Sequence, residues 1–194
     1  MQALYLLPDR SSLQSLQLPP PTDESTMSAA SKKLLAQLKK LTSFSCEDGP
    51  LTDADIAALP WLNHLHTLDL KGFTNIDPIL MSLKPDAALQ NLTLSNCGLT
   101  DKGFARITTL PSLRKLIFGG AMLTGNEIVP LIASPALEVL DLTKTVCKFD
   151  PTFIDALGRF KKLKTLKLGM LTQQQAQQLQ ALKDKGITLD YVIK

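Results

Sequence analysis

The chain has 194 residues, of which 44% are hydrophobic and 20% charged, so it is long enough to build one sizeable core. The formal net charge of +3 is too small to indicate a nucleic-acid partner. No apolar run approaches the roughly 18 residues that a membrane span needs, and the first ten residues lack the pattern of a secretory signal. We therefore expect neither a nucleic-acid nor a membrane partner.

The N-terminal residues predict an incomplete start of a repetitive structure. Leu4, Leu7 and Pro8 precede Leu13 at the same offsets at which a later apolar trio precedes Leu65. The chain would therefore begin inside the helix of a preceding repeat. Because solenoids need a cap at each open end, this half-repeat is either a minimal cap or the remainder of a longer protein.

One leucine recurs through the rest of the chain at a nearly constant interval of 24, 24, 24, 24 and 26 residues. Apolar residues follow this leucine three and five positions later in every unit, which places them on one face of a short strand. The pattern predicts six strands, each with a buried and an outward face. Their first leucines are Leu41, Leu65, Leu89, Leu113, Leu137 and Leu163.

Signals for short helices follow the predicted strands. Thr52 and Thr124 stand three residues before an acidic residue, which is the spacing of a capping box. Asp77 and Asp150 each precede a proline, which predicts an N-cap followed by proline in the first helical position. The predicted helices cover residues 28–40, 53–59, 78–83, 101–109, 126–133, 151–158 and 173–184, and a closing edge strand covers 186–193.

The stretch Ala88–Leu110 carries the motif L-x-x-L-x-L-x-x-C-x-L, and Leu99–Leu113 reads L-T-D-x-G-F-A-x-I-x-x-L-P-S-L. These motifs resemble the 24-residue leucine-rich repeats of the ribonuclease-inhibitor-like group. They are also similar to bacterial versions that include the GALA type, which occurs in effector proteins delivered into host cells. The resemblance covers about Leu4 to Tyr191.

This resemblance implies an α/β fold, a right-handed β/α superhelix or horseshoe with a parallel concave sheet and convex helices. Residues 1–194 would form a single leucine-rich repeat domain with about six full repeats, partial N-terminal repeats and a C-terminal capping strand. In such proteins the concave sheet commonly binds another protein.

Three cysteines, Cys46, Cys97 and Cys147, occur once each in three different repeats, at positions that the repeat assigns to the interior. An odd number of buried thiols indicates small core residues, not disulfides or metal ligands. We therefore expect the protein to work in a reducing, cytoplasmic compartment. The resemblance adds delivery into a host cell as a narrower possibility.

The sequence predicts no enzyme, cofactor or metal site. His64 and His66 flank Leu65, and their spacing would put both on the outward face of one strand near Asp69, but three loosely placed ligands are weak support for a metal. Gly119–Gly120 is not followed by the lysine and helix of a phosphate-binding loop.

The outward residues of the predicted strands are mostly polar, with two exceptions in the C-terminal half. Ile117 and Val139 are β-branched residues on adjacent strands, about 4.8 Å apart and offset by two positions. Strand propensity alone is the competing explanation for them. We call the following set the concave patch and predict that it binds a protein: Arg114, Lys115, Ile117, Val139, Asp141, Lys164 and Lys167.

The predicted function is a non-catalytic protein–protein interaction module that acts as a monomer, with a bacterial effector or adaptor as its narrower version. The alternative is a structural or targeting segment of a larger protein whose enzymatic domain lies outside this chain.

Overall fold

The computed structural model describes residues 12–18, 20 and 27–194. The predicted half-repeat at Leu4–Pro8 and most of the proline-rich stretch that follows β1 lie outside the described residues. Within the described part, eight strands form one sheet in sequence order. They are β1 Ser15–Leu18, β2 Ser43–Glu47, β3 Thr67–Lys71, β4 Asn91–Ser95, β5 Lys115–Leu123, β6 Val139–Cys147, β7 Thr165–Leu171 and β8 Thr188–Ile193.

Every pair of neighbouring strands is parallel, so each connection must cross from the end of one strand to the start of the next. Short helices make these crossings, and most of them pack against a helix of the next repeat. They are α1 Ala29–Leu35, α2 Asp53–Ala57, α3 Asp77–Ser82, α4 Asp101–Thr108, α5 Gly125–Leu131, α6 Pro151–Gly158, α7 Gln173–Gln178 and α8 Gln180–Asp184. The chain is thus an α/β solenoid of the leucine-rich repeat type.

The repeat predicted from the leucine interval is confirmed by the strand register. Leu92 on β4 lies between Leu68 and Leu116, and Leu116 lies between Leu92 and Leu140. All four of these leucines are 0% exposed. Each repeat therefore adds one layer of apolar side chains to a continuous core, as expected for a unit that cannot bury its own face.

The capping boxes are confirmed, whereas Asp77 has a different role from the one predicted. Asp150 is the N-cap of α6 and accepts a hydrogen bond from the Phe153 amide at 2.8 Å. Asp77 is instead the first residue of α3, because the Asn75 side chain accepts from its amide at 3.0 Å. The Asp77 carboxylate accepts hydrogen bonds from the amide and hydroxyl of Thr100, the N-cap of α4, and so joins two repeats.

The first and the last predicted helices depart most from their predicted bounds. The first helix ends at Leu35, whose carbonyl accepts a 2.8 Å hydrogen bond from Nε1 of the buried Trp61, so a neighbouring repeat fixes its end. The predicted helix 173–184 is two helices that meet at Leu179, which is 0% exposed. The break between the two helices thus lies at a residue of the core.

All three cysteines are free thiols, as predicted, but only Cys46 is fully buried. Burial and the nearby Asp48 and Glu47 raise the pKa of the Cys46 thiol to about 12. Cys97 and Cys147 are partly exposed, contrary to expectation, because both lie beyond the buried positions of their strands. Their pKa values are nonetheless raised, to about 12 for Cys147, because of burial.

Candidate binding surface

The two apolar residues of the concave patch lie on the face of the sheet opposite the core. Ile117 stands between the buried Leu116 and Phe118 on β5, so its side chain points away from both. In the register, Lys115 is opposite Val139 and Ile117 is opposite Asp141, which makes Ile117 and Val139 diagonal neighbours. Both are partly buried by adjacent side chains, so less of their surface faces solvent than the sequence led us to expect.

Most of the charges around this pair are already engaged within the protein. Glu138 accepts from Lys164 at 3.0 Å and from Arg114 at 3.1 Å, and Lys167 pairs with Asp190 at 3.1 Å. The hydrogen bond from Lys164, with the charge of Arg114 beside it, holds the pKa of Glu138 below its usual value. These pairs are exposed, so they order the side chains more than they stabilise the fold.

The remaining two charges of the patch differ from each other. The Asp141 carboxylate accepts hydrogen bonds from the Thr143 amide at 3.1 Å and the Thr143 hydroxyl at 2.7 Å. The register of β6 against β5 shifts just after this point, and the Asp141 carboxylate is already hydrogen-bonded within its own strand. Lys115 forms no ion pair within the described part of the chain.

A second feature of this half of the sheet is a row of exposed apolar side chains, which we call the apolar ridge. Met122, Val146, Met170 and Val192 lie near the ends of four consecutive strands and are 67%, 68%, 65% and 62% exposed. Met122 is directly opposite Val146, and Met170 is directly opposite Val192. The ridge is therefore contiguous within each pair of strands.

The ridge was not predicted from the sequence, because it lies beyond the outward positions near the start of each strand. The signal was present, since Met122, Val146 and Met170 recur at steps of 24 residues. One and two steps before Met122 the same position holds Gly98 and Thr74. The apolar row is thus confined to the C-terminal half of the solenoid.

Between the two halves of the ridge the sheet divides. Pairing of β6 with β7 ends at Leu142 opposite Leu168, whereas the β5–β6 and β7–β8 pairs continue to Cys147 and Ile193. A groove of about 510 Å³ lies at this division, and we call it the strand-end groove. Its lining residues are Thr143, Lys144, Thr145, Val146, Cys147, Phe149, Leu168, Gly169, Met170, Leu171, Thr172, Gln175 and Lys194.

The histidine pair does not have the geometry that the sequence suggested. His64 belongs to a short 3-10 helix, Leu62–His64, and His66 precedes β3, so the two do not share one face of a strand. Burial, together with the charge of Glu47, raises the pKa of the nearby Asp69. The described residues contain no group of three or more histidine, cysteine or acidic side chains that could hold a metal ion.

The similarity of this chain to known proteins lies among solved structures. No protein-family model matches the chain, and no curated protein is similar to it in sequence. Among solved structures, the crystal structure of a TLR13–ssRNA13 complex is similar with 16% sequence identity and a TM-score of 0.47. The match covers 95% of this chain and 33% of that one, so this chain spans about a third of the length of its structural neighbour. Within the described residues, no helix is long and apolar enough to cross a membrane.

Proposed function

We propose that the chain is a non-catalytic protein-binding module whose partner contacts the C-terminal half of the sheet. The apolar ridge is the observation that carries this proposal. Single exposed apolar residues are normal on a protein surface, but contiguous ones mark interaction sites. Covering each of these four side chains would contribute about 1–2 kcal/mol, scaled from the value for full burial of Val or Met.

The concave patch extends the proposed surface and gives it a charge preference. Positive side chains outnumber negative ones on this half of the sheet. The five cations are Arg114, Lys115, Lys144, Lys164 and Lys167, and the three carboxylates are Glu138, Asp141 and Asp190. A partner with an acidic area beside an apolar protrusion would complement this arrangement. Charges at the rim would mainly set the association rate and specificity, and the apolar contacts would set most of the affinity.

The narrower version of this proposal is a monomeric bacterial effector or adaptor in a reducing cytoplasm, with residues 1–194 acting as one repeat domain. The free thiols of the three cysteines support the reducing compartment. The alternative is a structural or targeting segment of a larger multidomain protein. A coding sequence that continues for hundreds of residues beyond either end would favour that alternative.

The test begins with a pull-down and mass spectrometry, followed by calorimetry with the purified partner. Replacing Ile117 and Val139 together by Thr keeps β-branched side chains in the strands but removes apolar surface. We avoid Asp at 117 because it would stand opposite Asp141. We expect the double variant to weaken binding at least about tenfold. Because both side chains are partly buried but lie on the face away from the core, the free energy of unfolding should fall by no more than about 1 kcal/mol.

Matched controls come from the helices. Met81 on α3 and Val129 on α5 are 59% and 37% exposed, so their replacement by Thr removes apolar surface away from the open face of the sheet. The proposed surface is wrong if these helix variants weaken binding while the Ile117 and Val139 variant does not. Replacing Lys164 and Lys167 by Ser should weaken binding modestly, and the loss should shrink at high salt.

A further inference from the structure

Resting on the proposed function, we propose that the strand-end groove is a peptide subsite. It takes a large apolar side chain of an extended partner segment, and an Asp or Glu close to that side chain in the same segment faces Lys144 and Lys194. The proposal commits to a segment of another protein, and the observations below concern shape, backbone and charge in turn.

The shape of the groove follows from a mismatch in strand length. Cys147 follows Leu142 by five positions at the end of β6, but Leu171 follows Leu168 by only three positions at the end of β7. The two strand ends cannot stay in register, so their pairing stops and the sheet opens between Val146 and Met170. These two exposed side chains form the lips of the groove, and Met122 and Val192 lie opposite them on the neighbouring strands β5 and β8.

The groove is of suitable size and is mainly apolar in character. Its volume of about 510 Å³ is within the range of about 300–1,000 Å³ that ligand pockets have, so it can hold a side chain with adjacent backbone. Phe149, Leu168 and Leu171 line it together with the lips. Within the described residues β6 and β7 are not paired beyond Leu168, so their inner edges can offer backbone hydrogen bonds to an extended segment.

The positive charge of the groove lining predicts an acidic residue in the partner segment, next to the inserted apolar side chain. Lys144 and Lys194 line the groove, and none of its lining residues is Asp or Glu. The charge of Asp69 interacts with Lys144 across the sheet. Neither lysine forms an ion pair within the described part of the chain. A carboxylate beside the inserted apolar side chain would therefore meet two cations at a partly enclosed position, where screening is weaker than on an open surface.

The probe is a phage-displayed library of random 12-residue peptides, selected on the full chain. We expect the enriched peptides to share a large apolar residue with Asp or Glu within three positions. Fluorescence anisotropy with the best peptide then compares the wild type with Val146→Ser and Met170→Ser combined. Because both side chains are mostly exposed, this variant should fold normally but bind at least about tenfold more weakly.

Charge reversal tests the second half of the proposal. Lys144→Glu combined with Lys194→Glu should weaken binding at least about tenfold, and a new selection on this variant should enrich peptides with Lys or Arg. Lys84→Glu with Lys102→Glu is the matched control, because both lysines are exposed and outside the groove. This control pair should leave peptide affinity unchanged.

Thiol labelling locates the bound peptide. Cys147 lines the groove and Cys97 does not, although both are partly exposed and have raised pKa values. The bound peptide should slow alkylation of Cys147 several-fold and leave the rate for Cys97 unchanged. Equal protection of both thiols would place the peptide elsewhere.

Each other outcome overturns the proposal. Peptides that bind the serine variant as tightly as the wild type would refute the groove but leave the proposed function standing, since that is tested with the whole partner. Enriched peptides without acidic residues would assign the groove to a purely apolar ligand. Self-association that the serine variant abolishes would assign it to a second copy of the chain, and no enrichment at all would exclude a peptide subsite.

Discussion

Replacing Leu116 by Ala tests the stacking of the solenoid at its centre. Leu116 is 0% exposed, and its neighbours in the register, Leu92 and Leu140, are also 0% exposed. The substitution deletes three buried carbon groups, which cost about 2.4 kcal/mol at about 0.8 kcal/mol each. The strands on both sides hold the surrounding leucines in place, so the cavity can collapse only partly, and the total loss should be about 3–5 kcal/mol.

The loss should be measured by urea denaturation followed with two probes. Circular dichroism reports on the whole chain, whereas fluorescence reports on Trp61, the single tryptophan, which is 1% exposed and packs edge-on to Phe44 at 5.1 Å. These two aromatic residues lie in repeats N-terminal to Leu116. Coincident transitions would show that the repeats unfold together, which a single free energy of unfolding requires.

Met81→Ala is the control for this experiment. Met81 is 59% exposed on α3, so its truncation should change the free energy of unfolding by no more than about 0.5 kcal/mol. If Leu116→Ala shifts the urea midpoint no more than Met81→Ala does, the assigned register and the stacked core are wrong.

Three further predictions concern thiols, acid stability and close approach between repeats. At pH 8 only about 10⁻⁴ of a thiol with a pKa of about 12 is ionised, so Cys147 should react far more slowly with a thiol reagent than free cysteine does. The fully buried Cys46 should react more slowly still, and mass spectrometry of the labelled protein would measure both rates. Hydrogen bonds from Thr124 lower the pKa of Glu127, so the ionised carboxylate stabilises the fold above pH about 4.3, and this contribution disappears as the pH falls through the lowered pKa. The difference in free energy of unfolding between the wild type and Glu127→Gln, measured by urea denaturation, should therefore shrink between pH 7 and about pH 3. A Cβ at Gly98 would lie 1.9 Å from the Thr74 carbonyl oxygen, so Gly98→Ala should lower the free energy of unfolding by about 1–3 kcal/mol, and an unchanged urea midpoint would contradict this close approach.

The fold was predictable because its information is periodic. A leucine every 24 residues determines strand, register and buried face together, and a one-residue error would turn every apolar side chain outward. The caps at Thr52, Thr124 and Asp150 were readable for a similar reason, since each depends on residues three positions apart. The role of Asp77 was not, because the Thr100 amide that donates to its carboxylate belongs to the next repeat.

The candidate binding surface was only partly predictable. The sequence identified Ile117 and Val139 as outward residues, but their partial burial depends on which side chains cover them. The pairing of Glu138 with both Arg114 and Lys164 depends on side-chain conformations that spacing alone does not determine. The interval of 26 residues between Leu137 and Leu163 indicated an irregularity in the repeat. Only the structure shows that the strands on either side of it separate and open a groove.

The regular step of the sheet from β2 to β6 has a mechanical consequence. In this part successive strands contact each other through residues 24 positions apart, such as Leu68, Leu92 and Leu116, so these contacts close loops of nearly equal length. A force that pulls the two ends of the chain apart would therefore peel off one strand and one helix at a time. Each event would release about 80 Å of extended chain, from 24 residues at about 3.3–3.6 Å per residue. The part of the solenoid from β2 to β6 would thus lengthen in nearly equal increments, as an extensible tether does.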